Sequence, residues 1–183
     1  MQKVVLSEIS LIHGSADLPK GFEINREKIK NDIIKSFIDQ KRINTNLKAY
    51  SYEDYEVPFS QPLQWLKDYI RDNIKVEHGF TLVEKSKHGN VFDPKEKSFL
   101  RYNIEPVDLR NSPDYTLIYA LDCAKDSCEL VIEYDDNRRK NRTWYIPVHN
   151  NHFYIFPATQ KYLITKNNSK QLNVLLTINY EYI

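Results

Sequence analysis

Glycine is scarce in this chain of 183 residues: there are four, and none follows Gly89. Glycine-rich phosphate loops and dinucleotide-binding fingerprints need several glycines at fixed spacing, so the sequence lacks the motifs of the common nucleotide-dependent enzymes. The turns of the second half must therefore be built from other residues. Asn150 and Asn151 are the predicted example, because asparagine tolerates the positive φ that a tight turn requires.

The sequence also lacks a large net charge and long apolar segments. The chain carries 26 basic and 25 acidic side chains, for a net charge of +1, whereas a dedicated nucleic-acid binder is typically basic. No segment approaches the ~20 apolar residues of a membrane span, and the first residues are too polar for a signal peptide. We therefore expect a cytoplasmic protein with no nucleic-acid or membrane partner.

Cysteine is limited to Cys123 and Cys128, which flank the tetrapeptide Ala-Lys-Asp-Ser. In the cytoplasm both are expected to be reduced. Their place beside a predicted turn favours a packing role. A metal or redox pair is the alternative, although the sequence offers no further cysteine to complete a metal cluster.

Two amphipathic helices are predicted in the first half of the chain. Asn25 is the expected cap of the first, Ser60 of the second, and Gly79 is the expected end of the second. Each helix carries an apolar face, formed by Ile29, Ile33, Phe37 and Ile38 in the first and by Leu63, Leu66, Ile70 and Ile74 in the second. Trp65 and Tyr69 flank the second face and are expected to help cover a sheet.

Strands are predicted for most of the remaining chain. An alternating pattern near the N-terminus indicates a half-buried strand through Val4, Leu6, Ile9 and Leu11. After Gly79, short segments rich in β-branched and aromatic residues are separated by turn residues; they are Phe80–Glu84, Phe99–Val107, Tyr115–Leu121, Glu129–Tyr134, Thr143–Val148, His152–Phe156, Tyr162–Thr165 and Leu172–Tyr182. Helices first and strands later predict a mainly-β α+β fold with helices on one outer face.

The segment from His149 to Tyr162 indicates which β fold this is. It predicts a turn, a short buried strand, a proline-bounded corner and a second strand, as in the closing half of a double-stranded β-helix (jelly roll or cupin-like). We expect a single domain over residues 1–183, with an N-terminal strand and helices in 1–79 and the β-helix core in 80–183.

Two pieces of this strand series resemble the 2-oxoglutarate/Fe(II) oxygenase superfamily, over roughly residues 60–183. Tyr115-Thr-Leu-Ile-Tyr-Ala-Leu-Asp is similar to the strand after the family's first metal motif, and Phe153-Tyr-Ile-Phe-Pro-Ala-Thr is similar to its Phe-Pro-Ser corner. The sequence most resembles small oxygenase-like proteins of marine bacteria and their tailed phages. The resemblance implies Fe(II) and 2-oxoglutarate as cofactors and a location in the cytoplasm or, for a phage protein, the virion.

The residue types at the implied site positions differ from the family pattern. The His-x-Asp motif would fall just before Tyr115, where Asp108 is a possible ligand near Arg110 but no histidine occurs. The distal histidine would fall at Tyr162, and the cosubstrate arginine further on, where Lys170 is the nearest cation; Asp108, Arg110, Tyr162 and Lys170 are therefore the candidate pocket residues. A non-haem Fe(II) oxygenase uses two imidazoles and one carboxylate, and a phenol, with an unperturbed pKa of about 10, is a poor substitute.

Histidines offer further weak metal candidates. His149 and His152 are separated by the two asparagines of the predicted turn, so we expect them at a rim or sheet edge. A metal site and a pH-sensitive contact are the alternatives. His88, in Lys-His-Gly-Asn, is expected in a loop.

Three functions are compatible with these features. The first is an oxygenase-like protein that has lost standard iron binding and acts as a ligand- or protein-binding module. The second is an active Fe(II)/2-oxoglutarate-dependent dioxygenase with non-standard ligands drawn from Asp108, His149, His152 and Tyr162. The third is a jelly-roll virion or carbohydrate-binding module. The sequence assigns no catalytic residue, and the expected partner is a small molecule or a protein.

Overall fold

The computed structural model describes residues 9–43, 54–105, 107–137 and 140–183, without the side chains of residues 43, 134–137, 140 and 141. The predicted strand residues Val4 and Leu6 lie outside this part of the chain, as does most of the segment between the two helices.

Two helices and eight strands make up the regular structure of the described residues. The helices are α1 at Arg26–Ile43 and α2 at Gln61–His78. The strands are β1 Ile12–Ser15, β2 Leu82–Phe92, β3 Tyr115–Asp122, β4 Glu129–Asn137, β5 Lys140–Pro147, β6 His152–Pro157, β7 Lys161–Ile164 and β8 Asn173–Tyr182.

The helix ends follow the predicted signals. The Asn25 side chain accepts a hydrogen bond from the Lys28 N–H at 3.0 Å, which caps α1. Ser60 occupies the N-cap position of α2 in an extended conformation, but its hydroxyl makes no capping hydrogen bond. Gly79, at a φ of 79°, ends α2 and donates its N–H to the Lys75 carbonyl, because a left-handed conformation is open to glycine at little steric cost.

The apolar helix faces are buried, with two differences from the prediction. Ile38 is 41% exposed, because it lies one residue, about 100° of helix rotation, beyond Phe37 and so leaves the buried face. Trp65 is 54% exposed and does not cover the sheet. Tyr69 is partly buried, and its hydroxyl donates to the Asp17 carbonyl at 2.8 Å. Neither α1 nor α2, the helices within the described ranges, is long and apolar enough to cross a membrane.

Two antiparallel sheets form the body of the fold. The larger has the strand order β1-β6-β3-β8-β2 and the smaller β5-β4-β7. Along the chain, β3, β6 and β8 belong to the larger sheet, whereas β4, β5 and β7 belong to the smaller. The chain therefore passes back and forth between two layers, and the predicted mainly-β α+β fold with two helices is confirmed.

The larger sheet is buried on both faces. One face packs on the helices through a cluster that includes Ile29, Ile33, Leu63, Leu66, Ile70, Leu117, Tyr119, Ile155, Leu176 and Ile178. The other face packs on the smaller sheet through a cluster that includes Ile118, Leu130, Ile132, Tyr154, Phe156, Tyr162, Ile164 and Leu175. Burial on both faces explains why β3 is almost continuously apolar.

The strand predicted at Phe99–Val107 is absent from the described residues. The chain touches β7 at two points here, at Ser98 just before the predicted strand and through a single bridge between Arg101 and Tyr162. The Ser98 hydroxyl accepts the Ile164 N–H at 2.6 Å. A side chain therefore takes a place that a carbonyl would hold in a regular ladder, and no continuous strand forms.

The strand predicted at Phe80–Glu84 continues instead to Phe92. Gly89 lies in its middle, where a glycine signals close approach of another group to the backbone. That group is Ile33 of α1: a Cβ added to Gly89 would overlap the Ile33 Cγ2 and lie 2.8 Å from its Cγ1. The polar residues Ser86, His88 and Asn90 therefore lie within the strand. They contribute to the site described below.

Candidate functional site

Arg101 is a mostly buried cation that joins strands of the two sheets: it bridges to Tyr162 of β7 and contacts His88 of β2. The Arg101 Nη2 is 2.6 Å from the Asp54 Oδ1, and its Nη1 is 3.4 Å from the His88 Nε2. The side chains of Arg101 and His88 are each 16% exposed, whereas that of Asp54 is 50% exposed. The negative partner thus lies toward solvent and the positive one toward the interior.

His88 is neutral in this environment. Burial lowers the pKa of His88 to about 4, helped by the Arg101 guanidinium and opposed by the Asp54 carboxylate. A guanidinium only donates hydrogen bonds, so the His88 Nε2 acts as acceptor toward Arg101 and the ring proton is assigned to Nδ1. The 3.3 Å approach of this Nε2 to Asp54 is therefore not an ion pair at neutral pH.

An amide and hydroxyl network is centred on the Asn103 side chain, two residues after Arg101. The Asn103 amide donates to the Thr116 hydroxyl at 2.7 Å and to the Asn179 side-chain oxygen at 3.0 Å. The Thr116 hydroxyl also donates to Asn179 at 3.1 Å, and the Asn179 amide donates to the Ser86 hydroxyl at 3.0 Å. These contacts join β2, β3 and β8 to the segment that follows Arg101.

A second branch runs along β2 and β8. The Thr177 hydroxyl donates to the Asn90 side-chain oxygen at 2.7 Å, and the Asn90 amide lies 3.3 Å from the Asp54 carboxylate. Alternate residues of a strand face the same side, so Ser86, His88 and Asn90 form one polar stripe of β2. We call the whole group the interior polar site, defined by Asp54, Ser86, His88, Asn90, Arg101, Asn103, Thr116, Tyr162, Thr177 and Asn179.

Tyr162 is the aromatic member of this site. Its side chain is 2% exposed and packs edge-on against Phe156, with ring centroids 5.2 Å apart. Burial raises the pKa of Tyr162, and the nearby Arg101 and Asn103 side chains oppose that rise. Neither reaches hydrogen-bond geometry: among the described residues the Tyr162 hydroxyl has no hydrogen-bond partner. It is a neutral, buried and unsatisfied phenol.

The other predicted pocket residues lie on the surface. Asp108 precedes a short 3₁₀ turn and accepts a hydrogen bond from the Asn111 N–H at 3.3 Å. Asp108, Arg110 and Lys170 are all exposed, whereas Tyr162 is buried. The structure therefore places Tyr162 with Arg101 and Asn103.

The histidine pair lies at the connection between β5 and β6. The rings of His149 and His152 are 5.5 Å apart, and the His152 Nδ1 is 3.0 Å from the Asn150 carbonyl. Asn151 has a φ of 64°, as the predicted turn requires. Among the side chains that the structure describes, no group of three His, Cys, Asp or Glu residues is placed to hold a metal ion.

His88 is a residue that the sequence prediction misplaced. It was expected in a loop but lies in β2, with its side chain mostly buried beside Arg101. The alternation of Ser86, His88 and Asn90 across one face is a signal that could have found it. The intervening residues, Lys87 and Gly89, are not apolar and hide that alternation.

Comparisons with known proteins support the fold. The sequence matches no protein-family model and no curated protein. Three of the similar solved structures show the shared fold. A Pseudomonas putida prolyl-4-hydroxylase is 10% identical, with 93% of this chain and 91% of that chain covered and a TM-score of 0.54. A Trichoplax adhaerens prolyl hydroxylase in complex with a hypoxia-inducible-factor peptide fragment is 8% identical, with 93% of this chain and 83% of that chain covered and a TM-score of 0.57. A 2OG-Fe(II) oxygenase family oxidoreductase from Burkholderia pseudomallei is 8% identical, with 70% of this chain and 62% of that chain covered and a TM-score of 0.51. The chain shares the fold of these oxygenases. At such low identity the likeness extends to the fold alone.

Fe(II), which the fold family implies, does not fit the side chains of the interior polar site. The site offers one imidazole, that of His88, and one carboxylate, that of Asp54, and both are directed at the Arg101 guanidinium. Tyr162 is a neutral phenol beside the same cation. An Fe(II) centre of the facial-triad type needs two imidazoles and a carboxylate around one point, and a guanidinium would repel the ion.

Proposed function

We propose that this protein is a double-stranded β-helix of the 2-oxoglutarate/Fe(II) oxygenase type that works as a binding module, holding a small carboxylate in the interior polar site without iron. The Tyr162 hydroxyl carries this proposal, because it is buried beside Arg101 and unsatisfied among the described residues. Leaving a buried hydroxyl unpaired costs about 1–3 kcal/mol. A ligand oxygen that accepts a hydrogen bond from this hydroxyl would remove the penalty, which favours binding.

The charge distribution favours an anion. Arg101 is largely buried, and its partner Asp54 is half exposed, so solvent screens the negative charge more strongly than the positive one. The His88 ring is neutral and adds no competing charge at neutral pH. A guanidinium fork matches the two oxygens of a carboxylate. Arg101 is therefore the residue expected to bind a carboxylate group of the ligand.

Binding fits this site better than acid–base catalysis. A general base works best when its pKa lies near the working pH. The pKa of His88 is lowered to about 4 and that of Tyr162 is raised above its ordinary value, so neither group is suited to exchange a proton at neutral pH. A phage or marine-bacterial setting and a protein partner stay predictions.

Calorimetric titration of the full chain in chelator-treated buffer tests this function. Succinate, 2-oxoglutarate and citrate are the probes, and succinamide is the uncharged control. We expect at least one carboxylate to bind and succinamide not to bind. A carboxylate at 100 times its Kd should raise the free energy of unfolding by about 2.7 kcal/mol.

Two variants link the binding to the site. Arg101→Met and Tyr162→Phe should each weaken the titrated carboxylate, while Tyr154→Phe, a buried tyrosine of the same apolar cluster, should leave its affinity unchanged. Absence of binding by all three carboxylates, or binding that survives both Arg101→Met and Tyr162→Phe, would overturn the proposal.

A further inference from the structure

Cys123 and Cys128 lie at the two ends of the connection between β3 and β4, where the chain passes from the larger sheet to the smaller. Both are free cysteines and both are 3% exposed. Both belong to one buried cluster, and each thiol shifts the pKa of the other, which places the two sulfurs close together. The two cysteines are therefore buried in the core, as the sequence predicted, and they also interact with each other.

Polar donors surround Cys128 and set it apart from Cys123. The Asn173 amide is 3.3 Å from the Cys128 Sγ, and Asn173 is fully buried. Ser127 fixes this amide, accepting from the Asn173 Nδ2 at 2.9 Å and donating to the Asn173 Oδ1 at 3.2 Å. The Asn173 amide is thus held in place with one N–H directed at the Cys128 sulfur.

These contacts affect the two thiols in opposite ways. The hydrogen bond from Cys123, followed by those from Ser127 and Asn173, lowers the pKa of Cys128, against burial and the Glu129 carboxylate. The same Cys123–Cys128 hydrogen bond, together with burial, raises the pKa of Cys123. A thiolate is the reactive form of cysteine, so Cys128 has the character of a nucleophile and Cys123 that of a proton donor.

Cys128 lines a small cavity. Its volume is about 150 Å³, and its other lining residues are Asp126, Glu129, Pro147, Thr165 and Asn168. This volume is several times the roughly 30 Å³ that one water occupies in the liquid, so hydrogen peroxide fits.

We propose that Cys128 is a peroxide-reactive cysteine and that Cys123 resolves the product into an intramolecular disulfide. In the first step the Cys128 sulfur attacks one oxygen of hydrogen peroxide and the O–O bond breaks; the departing hydroxide takes the thiol proton and leaves as water, giving a sulfenic acid. In the second step the Cys123 sulfur attacks the sulfenic sulfur and a second water leaves. Two thiols and one peroxide thus give one disulfide and two waters.

Mass spectrometry of the native chain treated with hydrogen peroxide tests the proposal. We expect the intact mass to fall by two hydrogen atoms, peptide mapping to join Cys123 to Cys128, and dithiothreitol to restore the original mass. With excess dimedone present during oxidation, the adduct should form on Cys128. No disulfide at a peroxide dose that oxidises glutathione, a disulfide between two molecules, or dimedone on Cys123 would each overturn it.

Single variants separate the two roles. Cys123→Ser should stop disulfide formation and leave a sulfenic acid on Cys128. Cys128→Ser should make Cys123 react at least about ten-fold more slowly than Cys128 does in Cys123→Ser, because the thiolate is lost. Equal reactivity in the two variants would contradict the proposal. Circular dichroism confirms folding, and the wild-type dimedone result decides the matter if either variant does not fold.

Discussion

Arg101 and Tyr162 exchange backbone hydrogen bonds of 2.7 and 3.0 Å, which makes them directly opposite residues of an antiparallel pair. Opposite residues project their side chains from the same face of a sheet. The guanidinium and the phenol therefore both enter the space between the two sheets. A cation thus lies beside the position where the sequence resemblance would place a metal-binding histidine.

Tyr162→Phe tests whether the buried hydroxyl destabilises the free protein. We expect the free energy of unfolding to stay equal to or rise above that of the wild type, because an unsatisfied buried hydroxyl is removed. The matched control is Tyr154→Phe, whose hydroxyl donates to the Pro147 carbonyl at 2.9 Å; it should lose about 1 kcal/mol. Urea denaturation measures both. A larger loss for Tyr162→Phe than for Tyr154→Phe would show that the Tyr162 hydroxyl is already bonded in the free protein.

Arg101→Met should weaken carboxylate binding by about ten-fold or more, since a hydrogen bond to a charged group contributes about 1.5–3 kcal/mol. Arg101→Lys keeps the charge but loses the fork, so it should bind with intermediate affinity. Arg110→Met is the control, because Arg110 is exposed and was expected in the pocket from sequence alone. Titration calorimetry gives the three affinities. Loss of binding in Arg110→Met with normal binding in Arg101→Met would move the site to the sequence-predicted position.

His88 should make the fold sensitive to mild acid. Its pKa is about 4 in the folded protein against an ordinary value of 6.5. As pH falls below 6.5 the unfolded chain takes up a proton that the folded chain does not, so stability declines until about pH 4. The loss is at most about 3 kcal/mol.

The variant His88→Gln isolates this effect, because glutamine can still accept a hydrogen bond from Arg101 and does not titrate. Asp54 and Arg101, the charged groups that face the ring, remain in both proteins. Between pH 6.5 and 4 the stability of His88→Gln should fall less than that of the wild type in denaturation curves. Parallel curves would show that His88 is not held neutral.

Gly89→Ala tests how tightly α1 packs on β2. The added methyl would overlap Ile33, and overpacking of this kind typically costs about 1–3 kcal/mol. Ile33→Ala opens space at the same point, so the double variant should lose less stability than the sum of the two single losses. Additive losses in thermal or urea unfolding would rule out this direct contact.

Local patterns predicted much of the fold. The Asn25 cap, the Gly79 end and the apolar face of α2 depend on residues close in sequence, and each was found as expected. Ile38 and Trp65 were misplaced, because small differences in angle around a helix decide which side chains meet a sheet that the sequence does not show.

The candidate site was predictable only in part. The turn and corner before Tyr162 are local, so its position between the sheets could be inferred from sequence. Its neighbours come from distant segments: Arg101 through a single bridge, and His88 and Asp54 through side-chain contacts. Such pairings leave no periodic signal, and the resemblance directed attention to Asp108 instead.

Titration of 2-oxoglutarate into the oxygen-free protein, once with a chelator and once with added Fe(II), tests most directly whether this fold binds a carboxylate without iron. The iron content after desalting and the release of succinate in air are measured on the same samples. We predict the same Kd in both titrations, no stoichiometric iron and no succinate. Stoichiometric Fe(II), binding that requires it and turnover of 2-oxoglutarate would show instead that the protein is an active dioxygenase with non-standard ligands.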